Sequence, residues 1–349
     1  MVIPLGLSFD DVLLIPQRSE VTSRADVSLK SEITPNFFLN IPIVSINMDT
    51  VTGVDMAVAM GQNGGVSFMP RFDSPQIQAE KIAAVKKQKQ KIIAALGLRD
   101  DYLDRAKMCV KAGADGLTID VAHGHMVKCI KVTQELKARF KLPIISGVVA
   151  SYDGAFDLFK AGADMVRVGV GAGTICVTRI VTGCGVPQIT AISDAVAASK
   201  KFKNKTVLAD GGIKNSGDIV KALAAGASAV TLGSLLAGTD EAPGEIIQKD
   251  GVFYKEYNGS TSIKEKEKQT QKHNGHKPHF KLHIEGVEAI VRYKGPVGDV
   301  LNSLCAGIKS GLAYSGAKNI QELWKNARFV QITAAGIRES HAHDVILSE

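Results

Sequence analysis

The sequence predicts an α/β protein of the (β/α)8 barrel class, and three observations predict it. Eight short apolar runs alternate with amphipathic helical patterns. The phrase "KAGADGL" from Lys111 recurs as "KAGADMV" from Lys160 and "AAGASAV" from Ala224. Each copy closes a helix, turns at glycine and opens a strand. Glycine-rich stretches follow the last three runs, where such barrels carry their ligand loops. A doubly wound parallel sheet is the other architecture with this rhythm.

The apolar runs are Ile41–Ile46, Val66–Met69, Ile92–Leu96, Leu117–Val121, Ile144–Val149, Met165–Val168, Thr206–Ala209 and Ala229–Leu232. Each is short and bounded by turn residues, as parallel strands buried on both faces are. Between them, helical spacing of apolar residues marks Val54–Gln62, Ser74–Lys87, Tyr102–Ala112, Val127–Phe140, Tyr152–Ala161, Ile189–Lys200 and Ser216–Ala225. The alternation breaks after Gly233. "GVFYKEY" reads as a strand, and the stretch from Lys264 to His283 is polar, lysine-rich and holds four histidines. It reads as a long mobile loop, a flap spanning about 258–286. Helical spacing returns at Val297–Ser310 and Ile320–Ala327, before a tail of about 330–349. The chain reads as one barrel domain over 1–349.

Composition narrows the class. A chain of 349 residues, 45% hydrophobic and 22% charged, has ample material for a core. No apolar run reaches the roughly 18 residues that a membrane span needs. "MVIPLGLSFDDVLLIPQR" lacks the charged n-region of a signal peptide. Five scattered cysteines without a CxxC pair fit reduced thiols in a cytoplasm. The net charge of +7 suits anionic ligands such as nucleotides, with nucleic acid as the other partner it allows.

The loops after strands seven and eight, "ADGGI" and "LGSLLAG", are where barrels of this class bind phosphate, through glycine amides and a hydroxyl. Asp210, at the head of the first, can accept from ribose hydroxyls. Beyond strand six lies "GVGAGTICVTR", in which Cys176 closes a glycine run. A thiolate there is a strong nucleophile, and Arg179 supplies a positive charge nearby in sequence. Cys109, Cys129 and Cys305 lie in helical patterns as packing residues, and Cys184 is a loop residue. Asp120, His123 and His125 crowd the end of strand four, but no third ligand has metal-site spacing. The glycine run leads to a cysteine and no pyrophosphate-binding helix, so it is not a dinucleotide fingerprint.

Together these stretches resemble the IMP dehydrogenase / GMP reductase family. The resemblance begins at "LSFDDVLLIP", continues through "NMDTVTG", "IDVAHGH", "GVGAGTICVTRIVTGCGVPQ" and "ADGGIKNSGDIVKALAAGASAVTLGSLLAG", and ends in "IEGVEAIVRYKG", "YSGAKNI" and "AGIRESHAHDV". It implies a (β/α)8 barrel, a homotetramer, and a covalent bond between a loop cysteine and C2 of a purine mononucleotide. By that resemblance Cys176 is the nucleophile, and Thr178 and Glu285 relay a proton near C2. Thr174, Gly212, Gly233, Ser234 and Tyr257 hold the 5′-phosphate, Asp210 the ribose, and Met48 lines the base pocket. Asp120 touches the nicotinamide ribose of NADPH or NAD. The dehydrogenases also bind potassium through carbonyls that correspond to Gly171, Gly173 and Cys176. A neighbouring subunit's tail, near Glu339, Ser340 and His341, completes that site.

The resemblance splits on direction. Dehydrogenases carry an Arg-Tyr pair in the flap, whose arginine activates water. The flap here holds lysines and histidines, including Lys272, His273 and His276, and no arginine; Arg292–Tyr293 falls after Glu285. "NGSTS" is closer to the reductase "GMSS" than to "GMGS". The chain also lacks the paired regulatory modules often inserted after strand two. These features point to a GMP reductase. The long flap, "RIVTGCGVPQITA" and "GIRESHAHD" are dehydrogenase-like. Val148 stands where both subfamilies carry asparagine, and Thr174 where they carry serine. A non-catalytic nucleotide- or nucleic-acid-binding protein is the reading from another class, with the basic flap as its contact.

Overall fold

The computed structural model describes residues 3–272, 284–342, 344 and 345, with the side chains of 271 and 272 set aside. Eight parallel strands close into a barrel: β1 (Ile43–Ser45), β2 (Val66–Met69), β3 (Ile93–Leu96), β4 (Gly116–Ile119), β5 (Ile144–Val149), β6 (Met165–Val168), β7 (Thr206–Asp210) and β8 (Ala229–Leu232). Closure rests on β8 pairing with β1, through Val230↔Ile43, Thr231↔Val44 and Leu232↔Ser45. That pairing rules out the doubly wound sheet, whose edge strands stay unpaired.

The helices that follow the strands are α1 (Val54–Gln62), α2 (Pro75–Lys87), α3 (Tyr102–Lys111), α4 (Val127–Arg139), α5 (Tyr152–Lys160), α6 (Gln188–Ser199), α7 (Ser216–Ala224) and α8 (Val297–Tyr314). Their starts follow side-chain chemistry. Ser74 accepts from the Ile77 amide before a proline at the first helical position, and Asn215 accepts from the Asp218 amide. The last helix runs past the expected Ser310, because Ile308 and Leu312 continue its buried face.

Strand side chains alternate between two cores. Ile43, Ala94, Leu117, Ile144, Val166 and Val230 face the helices. Val44, Val66, Phe68, Ile93, Ile145, Met165, Leu208 and Ala229 fill the barrel. Ile33, Phe37 and Leu39 join this inner cluster from the hairpin Ser31–Thr34 and Phe37–Leu39, which plugs the end where the strands begin. Two strand positions further on, the inward residues turn polar: Arg167 follows Met165, Asp210 follows Leu208, and Thr231 follows Ala229. The barrel is therefore apolar below and polar at its C-terminal mouth.

The recurring phrase has a mechanical basis. Gly113 and Gly162 end α3 and α5 in the left-handed region, at φ +100° and +105°. The next aspartate reaches back one βα unit. Asp115 accepts from the Lys86 ammonium and the Ile92 amide, and Asp164 from Lys137 and the Ile144 amide. Each aspartate thus ties the start of the preceding strand to the helix before that strand.

Three further pieces dock on the barrel. Val12–Leu14 pairs antiparallel with Phe329–Gln331, bringing the two ends of the chain together. Ile246–Lys249, Val252–Asn258 and Glu288–Arg292 form a three-stranded sheet after β8. The stretch expected to be a mobile loop from Lys264 begins instead as a helix, Ile263–Lys272. Its lysines and glutamates are good helix formers. Glu265 is buried, accepting from Asn258 and from Lys268 one turn on, while Lys264 pairs with Glu256. His273, His276 and the rest of the stretch to His283 lie outside the described residues. Among the described residues no helix is long and apolar enough to cross a membrane.

Asp164→Ala removes a buried acceptor shared by Lys137, Lys205 and the Ile144 amide. It should cost about 1.5–3 kcal/mol of stability, the range for hydrogen bonds to a charged group. Urea unfolding at constant m-value checks this. The surface pair Lys107–Asp104 provides the control and should cost under about 1 kcal/mol.

Candidate active site

The site forms where the polar layer of the barrel meets the loops above it. At the end of β6 the chain must pass directly over the end of β7. Gly169 makes this possible: at φ +149°, a Cβ there would lie 1.9 Å from the Asp210 carbonyl oxygen. The buried Gln188 side chain donates across the same junction, to Val168 O at 2.9 Å and Asp210 O at 3.0 Å. The loop then turns back, so that Thr174 Oγ1 stands 3.2 Å from Ser234 Oγ at the end of β8.

Cys176 and Glu285 are distant in sequence and are joined by the main chain. The Val177 amide donates to Glu285 O at 2.9 Å, and the Val287 amide donates to Ile175 O at 3.0 Å. This bridge fixes the side chains. Cys176 Sγ lies 3.0 Å from Thr178 Oγ1, and Thr178 Oγ1 donates to Glu285 Oε2 at 2.7 Å. Because the hydroxyl proton goes to the carboxylate, the threonine oxygen accepts from the thiol. The three groups form a proton path leading from sulfur to carboxylate.

One cavity of about 200 Å³ collects nearly every residue singled out in the sequence. Met48, Asp120, Gly171, Gly173, Thr174, Cys176, Thr178, Asp210, Gly212, Gly233, Ser234, Tyr257 and Glu285 all line it. Glu339, Ser340 and His341 do not. Glu339 ends the helix Ala334–Glu339, which packs on the N-terminal turn Phe9–Asp11, and Ser340 and His341 follow it. Arg179 is turned from the thiol and donates to Val170 O at 3.2 Å and Val186 O at 2.6 Å, closing the loop. His125 pairs with Asp157 at 2.9 Å.

An outer cavity of about 800 Å³ shares Met48, Asp120, Val148, Ser260 and Thr261 with the inner one. Arg71, Arg99, Lys128 and Lys266 give it a basic wall. Asn47 also lines it, and its Oδ1 is buried with no partner among the described residues. Burial pulls the Lys266 ammonium below the ordinary lysine range, while Glu285 nearby acts the other way. Burial also pushes the Tyr257 phenol up, so its hydroxyl stays protonated beside the Ser234 main chain.

With this geometry in hand, comparison with known proteins is decisive. Residues 6–343 match the model of the IMP dehydrogenase / GMP reductase domain. The chain belongs to the IMP dehydrogenase / GMP reductase family. It is thereby an NAD(P)-dependent oxidoreductase. Among curated members, it is 38% identical to the inosine-5′-monophosphate dehydrogenase of Borreliella burgdorferi, covering 97% of both chains. It is 37% identical to that of Cryptosporidium parvum, over 97% of this chain and 95% of the other. Among solved structures, a GMP reductase variant from Trypanosoma brucei, in complex with guanosine 5′-monophosphate, superposes with a TM-score of 0.93. That pair is 31% identical, over 99% of each chain.

Several residues at the site escaped the reading of the sequence. Arg167 was legible in principle, because a charge inside the buried run "MVRV" demands a partner. Gln188, Arg71 and Lys266 carry no such signal, since polar residues next to loops are ordinary.

The cysteines offer a direct check. Burial pushes the Cys109 thiol up to about 12, and Cys129 is equally buried. Cys184 is exposed, and Cys176 opens onto the cavity. At pH 8 iodoacetamide should label Cys184 and Cys176 in the native protein and reach Cys109 and Cys129 only after unfolding, as peptide mass mapping would record.

Proposed function

We propose that the chain is a GMP reductase, converting GMP and NADPH to IMP, ammonia and NADP+. One observation carries the reading: a complete Cys176–Thr178–Glu285 path beside a segment, 258–286, that contains no arginine. A dehydrogenase must activate water to release its product, and the family does so with a flap arginine. A reductase needs no such water.

In this reading the inner cavity holds the nucleotide. Thr174, Ser234 and Tyr257 offer hydroxyls, and Gly212 and Gly233 offer main chain, to the 5′-phosphate. Asp210 accepts from the ribose hydroxyls, and Met48 packs on the base. Cys176 loses its proton along the path to Glu285, and the thiolate attacks C2 of the purine. Thr178 and Glu285 return a proton to the exocyclic amine, which leaves as ammonia and leaves a thioimidate on Cys176. A reduced nicotinamide, when bound, supplies the hydride that C2 accepts. The Cys176 sulfur then departs as thiolate, giving IMP.

The outer cavity fits that cofactor. Four cationic side chains suit its phosphates, Asp120 suits the nicotinamide ribose, and the orphaned Asn47 oxygen suits an amide donor. A potassium ion would be held by the carbonyls of Gly171, Gly173 and Cys176. Gly173 O already accepts the Cys176 amide at 3.1 Å and keeps a second lone pair. Glu339, Ser340 and His341 of a neighbouring subunit would complete that site in a homotetramer. The free cysteines suit a reducing, cytoplasmic setting.

The names of the curated relatives favour a second reading, IMP dehydrogenase, in which IMP and NAD+ give XMP. The water would then be activated by the Thr178–Glu285 pair or by a flap lysine or histidine such as Lys272, His273 or His276.

Absorbance of reduced nicotinamide separates the two. GMP with NADPH should lose signal, and IMP with NAD+ and potassium should stay flat; the opposite pattern would overturn the reductase reading. Cys176→Ala should abolish turnover yet still bind the mononucleotide in calorimetry. Glu285→Gln should lower kcat by about 10²–10⁴-fold, the usual contribution of a positioned acid or base.

A further inference from the structure

We infer that Arg167 is a positioning residue that couples the two ribose-holding carboxylates, so that filling the mononucleotide site tightens the dinucleotide site and the reverse. The inference rests on the nucleotide reading of the two cavities and extends it.

The guanidinium sits inside the barrel mouth with its side chain 2% exposed, between two carboxylates from different strand ends. Nε and Nη2 both donate to Asp210 Oδ2, at 2.8 and 2.6 Å. Nη1 donates to Asp120 Oδ1 at 3.2 Å. The Phe68 ring lies 5.1 Å from the guanidinium carbon and braces the plane. Only arginine has a rigid fork with donors on both sides, so a lysine at this position could serve one carboxylate at a time.

The two ends of the bridge are unequally tight. Asp210 is buried and held by two short bonds, both to a single oxygen, so Oδ1 takes no part in the bridge, and the residue lines the inner cavity. Asp120 is held loosely, at 3.2 Å by Arg167 and at 3.4 Å by Arg71, and is 20% exposed. Ribose hydroxyls on Asp210 would fix that carboxylate, then the guanidinium plane, then Asp120. A dinucleotide arriving second would find Asp120 already ordered and pay less to bind. Coupling of this kind is reciprocal by linkage.

The test uses the full chain carrying Cys176→Ala, which cannot turn over, and measures binding by calorimetry. The probes are IMP and NADPH, with NADH in a parallel arm. Saturating IMP should tighten the dinucleotide by about tenfold, within the usual span of coupling energies. Adding Arg167→Lys should reduce that factor below about twofold while both ligands still bind singly. Should that variant misfold, Asp120→Asn decides the matter. Saturating IMP should then tighten the dinucleotide by less than about twofold, because the bridge has lost its dinucleotide end. Undiminished coupling in Arg167→Lys, or in Asp120→Asn where the first variant misfolds, would overturn the bridge and leave the nucleotide reading standing. Failure of the Cys176→Ala protein to bind IMP or either dinucleotide would overturn the reading itself, and the bridge with it.

Discussion

A buried positive charge governs the upper half of this barrel. Arg167 points inward from β6, where β6, β7 and β8 place Met165, Leu208 and Ala229 one layer below. A guanidinium there is tolerable only if it is paired and fully hydrogen-bonded. Asp210 and Asp120 meet that demand, and each stands at a strand end because only strand ends reach the guanidinium from the mouth. The two carboxylates of the polar layer thus answer to one residue. Removing Asp210 would leave the charge with only the longer contact to Asp120, the costly way to break such a network, whereas removing Asp120 leaves both short bonds in place.

The loops above inherit their positions from this layer. Gly169 carries the chain over the Asp210 carbonyl, and Gln188 locks the crossing. From that fixed start, seven residues bring Cys176 to the main-chain bridge with Glu285. The carboxylate comes from beyond the helix Ile263–Lys272, yet its distance to Thr178 is set by two backbone hydrogen bonds to the cysteine loop. Reactive geometry here depends on backbone pairing more than on side-chain packing, so it resists rotamer changes that would loosen a side-chain-only contact.

The chemistry divides between the two cavities in a way that follows their charge. The inner one sets a thiol, a hydroxyl and a carboxylate in series, an arrangement suited to moving one proton while sulfur forms a bond. The outer one is a basic wall with an acidic edge, suited to an anionic ligand. Asp120, lining both, is where the two ligands would come closest.

By itself the sequence determined the barrel and most of the inner cavity. Strand and helix periodicities are local, and eight of them in alternation leave few closed architectures. The glycine loops after β6, β7 and β8 announced themselves because glycine at a strand end has few other uses. The tertiary structure alone decided three things. It showed that the polar stretch from Lys264 starts as a helix, because its stability comes from Glu265 meeting Asn258 across the fold. It turned Arg179 away from the thiol it follows in sequence, toward carbonyls that only the folded loop presents. And it joined Asp120 to Asp210 through Arg167, three residues scattered over ninety positions that meet only because closing a barrel brings the ends of non-adjacent strands to one axis.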